Sequence, residues 1–172
     1  MEEVMKLTWC EDEVPAGIEV HQVYAVAFNR DGKIILKAET KKSGKIVYSL
    51  AGGTPEDYDV DRIATLRREY IEEINTTLLD PIIYLGYQLV DEENGIPPYA
   101  QIRMTAMIDE IGEKKPDPDN GETYDRILAN PDVAINCLSW GDIGEKIIKK
   151  ATEIAKVKFN LTQSTDDSIE EI

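Results

Sequence analysis

The sequence has little of what most side-chain catalysis uses. Its 172 residues include one histidine, His21, and two cysteines, Cys10 and Cys137. A single histidine excludes most histidine-based catalysis. Two cysteines far apart in the chain, without a CxxC pair, do not form a zinc motif. They are interpreted as structural thiols in a reducing compartment rather than as a disulfide.

Positive charge and long hydrophobic runs are also scarce. Nineteen lysines and arginines stand against 34 aspartates and glutamates, a formal net charge of −15. Phosphate backbones repel such a chain, which argues against nucleic-acid binding, whereas a small anionic ligand can still bind through a metal or a local basic patch. No apolar run reaches the roughly 18 residues needed to cross a bilayer, and residues 1–6 lack the pattern of a signal peptide. These absences predict a cytoplasmic protein without a membrane partner.

What the chain does contain is enough apolar material for a core. Hydrophobic residues make up 42% of it, and its length suits one globular domain, predicted to span residues 1–161. The acidic stretch at 162–172 has little to bury, so it is expected to be a frayed C-terminal tail.

Hydrophobic periodicity predicts the secondary structure. A helix at residues 60–74 follows a glycine-rich turn, with Asp59 as its N-cap and Asn75 as the left-handed residue at its end. A second helix begins at Asp142, with Glu145 as a capping-box partner. Strands are predicted at residues 22–28, 33–39, 46–50, 82–90, 99–108 and 133–140.

The first predicted helix carries an acidic side. At about 100° per residue, one apolar set should face the core, namely Ile63, Leu66, Tyr70 and Ile74. Glu69, Glu72 and Glu73 share a different side, where their charges repel and a hard divalent cation would relieve the repulsion. The alternative is a solvated acidic face without a ligand. Arg68 within the patch and the Gly52–Gly53 turn ahead of the helix favour a site, because they can orient carboxylates and let the backbone approach.

This segment resembles the conserved box of the Nudix hydrolases. That box runs Gly, five residues, Glu, seven residues, Arg-Glu, an aliphatic residue, any residue, Glu-Glu, any residue and Gly. The chain has Asp59 for the first Glu, one extra residue before the arginine, Asn75 for the closing Gly, and Ala51 where Pro is common. None of these departures removes the Arg-Glu-x-x-Glu-Glu core. The matching positions are Gly53, Arg68, Glu69, an apolar Tyr70, Glu72 and Glu73.

The resemblance implies an α+β fold with a mixed β-sheet sandwiched between α-helices, an α/β/α arrangement. It also implies a catalytic set that binds Mg²⁺ or Mn²⁺. Glu69, Glu72 and Glu73 are the implied metal ligands, the Gly52 carbonyl is a further one, and Arg68 orients the glutamates. A metal held there would polarise a phosphoryl oxygen and lower the pKa of an attacking water.

The sequence leaves the general base open. Two candidates, Glu56 and Glu72, belong to the box region. Three more are acids of a long polar loop predicted at residues 112–131, and loops of this length are usually functional or mobile. Each of these loop acids can also be a solvated side chain without a role. They are Asp117, Asp119 and Glu122.

Substrate contacts are predicted at Lys37, Gly53 and Arg103. Arg103 alternates with an apolar face on its strand, so it either meets a phosphate in a cleft or lies on an ordinary solvent face. Lys37 lies on a strand before the box, where similar proteins often place a basic residue. Tyr124 and Trp140 either stack on a nucleobase or pack against the body of the protein.

These observations together predict a Nudix hydrolase that cleaves a nucleoside diphosphate linked to another moiety. The partner would be a small nucleotide or nucleotide-sugar substrate, with no nucleic acid and no membrane, and a homodimer is compatible with the sequence. One alternative is a Nudix-fold domain that senses or binds nucleotides without turnover. Another is an isoprenoid-diphosphate isomerase, which the short chain and the lack of a catalytic cysteine signature disfavour.

Overall fold

The computed structural model describes residues 5–172, so most of the N-terminal segment in which no signal peptide is expected lies outside the described residues. The strands are β1 (Lys6–Cys10), β2 (Glu19–Phe28), β3 (Ile34–Thr40), β4 (Ile46–Ser49), β5 (Gly52–Gly53), β6 (Thr76–Leu78), β7 (Ile83–Asp91), β8 (Tyr99–Ile111), β9 (Asp125–Ala129) and β10 (Glu170–Glu171). The helices are α1 (Arg62–Ile74), α2 (Pro131–Leu138) and α3 (Gly141–Lys158). Over this part of the chain, none is long and apolar enough to cross a bilayer.

The strands form one mixed sheet. Its order is β1-β7-β8-β2-β3-β9-β10, with β4 beside β3, β5 beside β2 and β6 beside β8. β2 and β8 run parallel, with Val23 opposite Ile102, and the other pairs are antiparallel. The mixed sheet predicted from the resemblance is therefore confirmed.

Helices cover both faces of this sheet. On one face, α1 buries its predicted apolar stripe against residues that alternate along β2, and this cluster contains Leu66, Tyr70, Ile74, Val23 and Ala25. On the other face, α2 and α3 pack against the opposite side of β2 and against β3, in a cluster that contains Ala134, Ile147, Ala151, Val26 and Leu36. This layering is the α/β/α sandwich, and it explains why β2 is apolar on both sides.

A gap between β2 and β3 makes room for the glycine turn. The two strands pair at Phe28 and Ile34, whereas farther along β2 its neighbour is β5, with Gly52 opposite Tyr24. Gly52 has φ +150°, and a Cβ there would lie 2.1 Å from the Val23 carbonyl oxygen. Only glycine fits this approach. The turn therefore enters the sheet directly ahead of α1.

Helix α1 begins two residues later than the sequence predicts. Asp61, not Asp59, is its N-cap and accepts from the Ala64 amide at 2.7 Å. Asp59 is engaged by other groups of the loop, described below. At the other end Asn75 is left-handed (φ 45°), as predicted, and its N–H donates to the Ile71 carbonyl at 3.0 Å.

The strand predicted at residues 133–140 is wrong, because α2 occupies most of that segment. Asn130 caps this helix by accepting from the Val133 amide at 2.8 Å, and Pro131 supplies the preset φ of a first helical turn. These two start signals outweigh the short apolar run that follows them. The capping box predicted for the next helix does not form either: Trp140 holds the N-cap position without a side-chain bond, and Glu145 pairs with Lys149.

The tail at residues 162–172, expected to be frayed, is docked. β10 pairs with β9, and the Lys33 ammonium, 1% exposed, lies 3.1 Å from Asp166 and 2.8 Å from Glu170. Ile172 packs against the core below α1. The expectation failed because the acids of the tail find a buried cation more than 130 residues earlier in the chain.

Candidate active site

Arg68 ties the loop ahead of α1 to the acidic side of the helix. One terminal nitrogen lies 2.9 Å from Glu69 and 3.1 Å from Glu72, and the other donates to the Thr54 carbonyl at 2.9 Å. Nε and the second terminal nitrogen contact the two oxygens of Asp59 at 3.1 and 3.0 Å. The arginine thus fixes the directions of three carboxylates at once.

Asp59 accepts hydrogen bonds from several groups around Arg68. It also accepts from the Glu56 amide at 2.9 Å and from the Thr65 hydroxyl at 2.8 Å. The Arg68 guanidinium holds the pKa of Asp59 well below its usual range. Asp59 is therefore an ionised partner that braces Arg68. This pairing explains why an aspartate one residue out of register can stand where the Nudix box has its first glutamate.

Glu69 is buried against the glycine turn. Its exposed fraction is 6%, and a Cβ on Gly53 would lie 2.3 Å from its carboxyl carbon. Gly53 was predicted to contact substrate, and the structure shows that its missing side chain makes room for Glu69. Burial raises the pKa of Glu69 to about 7, although the ion pair with Arg68 opposes the shift.

The carboxylates of Glu69, Glu72 and Asp119 converge. One oxygen from each lies within 4.8 Å of the others. Asp119 comes from the loop between β8 and β9, where its own amide donates to Asp117 at 2.9 Å and shapes the turn. The sequence offered Asp119 only as one of several candidate bases, because the distance from a loop to a helix cannot be read from spacing.

Glu73 lies beside this cluster but has other partners. Lys37 donates to one of its oxygens, and the Gly52 amide donates to the other at 2.9 Å. Burial raises the pKa of Glu73, and Lys37 opposes that shift. Lys37 also lies over the Tyr124 ring, 4.4 Å from its centroid. The structure therefore places Gly52 at this site through its N–H, and the metal-ligand role of Glu73 and Gly52 stays a prediction.

A cleft of about 670 Å³ opens next to Glu73. It crosses the sheet from Lys37 on β3, past Tyr24 on β2, to Arg103 on β8 and Gln88 on β7. Its lining residues are Leu7, Tyr24, Lys37, Ser49, Leu50, Gly52, Glu73, Gln88, Gln101, Arg103, Ser139, Trp140 and Ile143. Lys37 and Arg103, predicted as separate substrate contacts, thus line one cleft, which the sequence could not show.

Tyr124 and Trp140, the two aromatic residues predicted as base-stacking candidates, each lie against a cation, and their stacking role stays a prediction. Lys37 lies 4.4 Å from the Tyr124 ring centroid, and the Arg103 guanidinium lies 5.5 Å from that of Trp140. Tyr24 on β2 has the same guanidinium at 4.7 Å. Outside the cleft, His21 stacks on Tyr99 at 4.0 Å, and both cysteines are free thiols. These residues have no part in the cluster.

No family model matches this sequence, and no curated protein matches it. Solved structures do match. A NUDIX hydrolase from Nitrosomonas europaea superposes with a TM-score of 0.57 at 19% identity, over 77% of this chain and 87% of that one. A mutant of the Bacillus subtilis pyrophosphohydrolase BsRppH gives 0.54 at 20% identity, over 71% and 70%. The chain has the Nudix fold.

MutT, from a study of the enzymes of Aliivibrio salmonicida and Vibrio cholerae, is also similar, with a TM-score of 0.54 at 14% identity over 78% of this chain and 98% of that one. Identities this low establish the shared fold alone. Within the Nudix fold of this chain, the glycine turn and the glutamate helix lie next to each other, as the resemblance implied. What the chain does with them depends on the side chains described above.

Proposed function

We propose that this Nudix-fold chain is a metal-dependent hydrolase that cleaves the phosphoanhydride of a nucleoside diphosphate linked to another moiety. The observation that carries the proposal is the convergence of Glu69, Glu72 and Asp119 within 4.8 Å, on the helix whose next acid, Glu73, lines a cleft of about 670 Å³. Clefts of this size accommodate small-molecule ligands. The neighbours named NUDIX hydrolase and pyrophosphohydrolase agree with this activity.

The donor set fits a hard divalent cation. All three side chains offer carboxylate oxygens, the ligands that Mg²⁺ and Mn²⁺ prefer. Arg68 pairs with Glu69 and Glu72, whereas Asp119 has no basic partner among the described residues. The cluster thus keeps excess negative charge that a cation would neutralise. A bound metal would polarise a phosphoryl oxygen and lower the pKa of a nearby water.

The chain's own residues would position the substrate. Arg68 holds Glu69 and Glu72 in fixed directions, which reduces the reorganisation needed when charge develops. Lys37 lies at the cleft wall against Glu73 and supplies a positive charge near the phosphates. The proposed substrate class is a nucleotide or nucleotide sugar. The cytoplasmic location and the homodimer remain predictions from the sequence.

The test compares Glu72→Gln and Asp119→Asn with Glu153→Gln, an exposed glutamate of α3. Turnover of nucleoside diphosphate sugars and dinucleoside polyphosphates, followed by phosphate release after phosphatase treatment, should fall about a thousandfold or more for the first two variants. Both should also bind Mn²⁺ more weakly in a paramagnetic titration. Glu153→Gln should match the parent protein.

Two results would contradict parts of this proposal. Full turnover in excess chelator would remove the metal from the mechanism. Calorimetric binding of the nucleotides without any product would favour the alternative, a Nudix-fold domain that senses nucleotides.

A further inference from the structure

Arg103 is a buried cation without an acid. Its exposed fraction is 3%, and it pairs with no carboxylate within salt-bridge distance among the described residues. Nε has no hydrogen-bond partner there at all. One terminal nitrogen donates to Gln101 at 3.2 Å, and the other reaches the Ile102 carbonyl only at 3.5 Å. Most of its five donors are therefore unsatisfied.

A second buried arginine, Arg126, uses its hydrogen-bond donors on the backbone. Arg126 is 5% exposed and likewise forms no salt bridge with an aspartate or glutamate in the part of the chain that the structure describes. Its guanidinium donates to the carbonyls of Ile74 at 2.9 Å and Gly112 at 2.6 Å, and more weakly to a main-chain oxygen of Ile172 at 3.4 Å. Arg126 thus joins three segments of backbone. Among the described residues, Arg103 makes no comparable set of backbone contacts.

Two aromatic rings and the wall of the cleft surround Arg103. Tyr24 and Trp140 lie close to the guanidinium, with ring centroids at 4.7 and 5.5 Å. Cation–π contacts of this kind hold the side chain in place without consuming its N–H groups. Arg103 lines the cleft that also contains Lys37 and Glu73. The terminal nitrogens of Arg103 each keep an unused N–H, and these are the donors that a molecule in the cleft would bind, whereas Nε is buried.

We infer that Arg103 is the receptor for a second anionic group of the substrate, a phosphate or carboxylate distinct from the diphosphate held near Glu69 and Glu72. This inference rests on the proposed function and narrows it: the preferred substrate carries acidic groups at both ends of the cleft. An oxyanion presents two acceptors to the planar fork of a guanidinium and also supplies the missing charge. A neutral nucleobase supplies acceptors but no charge.

The residues around Arg103 favour a role in binding an anion over a role in catalysis. The carboxylate of Glu73, which lines the same cleft, is occupied by Lys37 and the Gly52 amide, so it does not neutralise Arg103. Gln88 and Gln101 line the far end of the cleft and add amide groups without negative charge. Arg103 would thus act as a specificity residue, away from the reacting bond.

The first experiment measures anion binding to metal-free protein, which separates it from turnover. The probes are inorganic phosphate, succinate and neutral guanosine, compared with chloride at equal ionic strength by calorimetry and thermal shift. Phosphate or succinate should bind the parent protein, and Arg103→Met should weaken that binding at least tenfold. Unchanged anion binding by Arg103→Met would overturn the inference, and so would guanosine binding that depends on Arg103 while both anions fail to bind. Neither result depends on whether the chain is an enzyme.

The second experiment uses the stability of the ligand-free protein, with Arg126→Met as the matched control. Methionine keeps most of the apolar stem of either arginine. Arg126→Met should lower the melting temperature, because it leaves buried carbonyls without a donor. Arg103→Met should keep or raise the melting temperature, since it removes a buried charge that no carboxylate compensates. Equal losses for the two variants would make Arg103 a structural residue and overturn the inference.

Discussion

Lys33 and Arg103 are both almost completely buried beside the same sheet, yet among the described residues only Lys33 is paired with carboxylates. Lys33, 1% exposed, contacts two carboxylates and the carbonyl and hydroxyl of Ser168. Arg103, 3% exposed, contacts two aromatic rings, the side-chain amide of Gln101 and, through a long hydrogen bond, the carbonyl of Ile102. The chain has 34 acidic residues, so a lack of acids does not explain why Arg103 has no carboxylate partner. The difference separates a cation that holds the chain together from one kept available for a ligand.

The cost of burying a charge explains why this difference is informative. A buried cation without an anion loses its hydration and gains little in return, so it is retained only where something else requires it. At Lys33 the requirement is met within the chain by the tail. At Arg103 the cleft leaves space for an outside group. Unsatisfied buried groups are accordingly concentrated at functional sites.

Deleting the tail should make Lys33 resemble Arg103, because it removes the carboxylates that pair with Lys33. Deletion of residues 162–172 also removes β10 from β9 and uncovers the core at Ile172. The melting temperature should fall by about 10 °C, the range expected when an ion-pair network and packed apolar surface are lost together. Differential scanning fluorimetry measures it. The expectation of a frayed tail gives the opposite result, a change of only a few degrees.

The anion site provides the control for this deletion. Phosphate binding at Arg103 should persist in the shortened protein at a temperature below its melting point, because no tail residue lines the cleft. Loss of both properties would mean that the tail and the cleft depend on each other.

The parts of the fold that follow local rules could be predicted from the sequence. Helix α1 shows its apolar stripe through the 3.6-residue period, and Asn75 marks its end because few residues tolerate a left-handed conformation. The central strands show apolar patterns of the right length. The resemblance of the segment from Gly53 to Glu73 to the Nudix box then supplied the sandwich arrangement, since one motif implies the sheet around it.

The parts that depend on distant residues could not be predicted. The acids of the tail look solvated until Lys33 is placed beside them. Asp119 becomes a neighbour of Glu69 and Glu72 only through the path of the β8–β9 loop. Arg103 was expected from alternation to face a cleft or solvent, but its lack of a carboxylate is a property of the assembled structure. Sequence spacing fixes which face a residue occupies, not what lies opposite that face.

A carboxylate placed next to Arg103 would sharpen the comparison, because it would make Arg103 resemble Lys33. Gln101 is the position for it, since its side-chain oxygen already accepts from Arg103 at 3.2 Å. Gln101→Glu should neutralise the guanidinium internally and weaken phosphate binding about tenfold, a loss of roughly 1.4 kcal/mol in affinity. Calorimetry on metal-free protein provides the measurement. Gln22, whose oxygen now accepts from Gln101 at 3.0 Å, can turn its amide to donate instead.

Gln88→Glu is the matched control, because Gln88 lines the same cleft and has no bond to Arg103 among the described residues. If the two variants weaken phosphate binding equally, added negative charge anywhere in the cleft is sufficient, and the pairing of Arg103 loses its special role.

The smallest expected effect concerns Glu69, a buried acid whose partner Arg68 compensates it only in part. Burial raises the pKa of Glu69 from 4.5 to about 7, so between these values the folded chain holds a proton that the unfolded chain has released. Stability of the metal-free protein should therefore fall as the pH rises through about 7. The pKa of Glu73, also raised by burial, acts in the same direction, whereas the lowered pKa of Asp59 matters only in acidic solution.

Between about pH 5 and pH 8 the parent protein should lose roughly 3 to 5 °C in melting temperature, and Glu69→Gln should lose less. Added Mg²⁺ should reverse the loss in the parent protein, because a cation bound to the native state stabilises it by mass action. A parent protein and a Glu69→Gln variant with parallel pH profiles would show that Arg68 compensates Glu69 completely, which would place Glu69 with Lys33 among the satisfied charges.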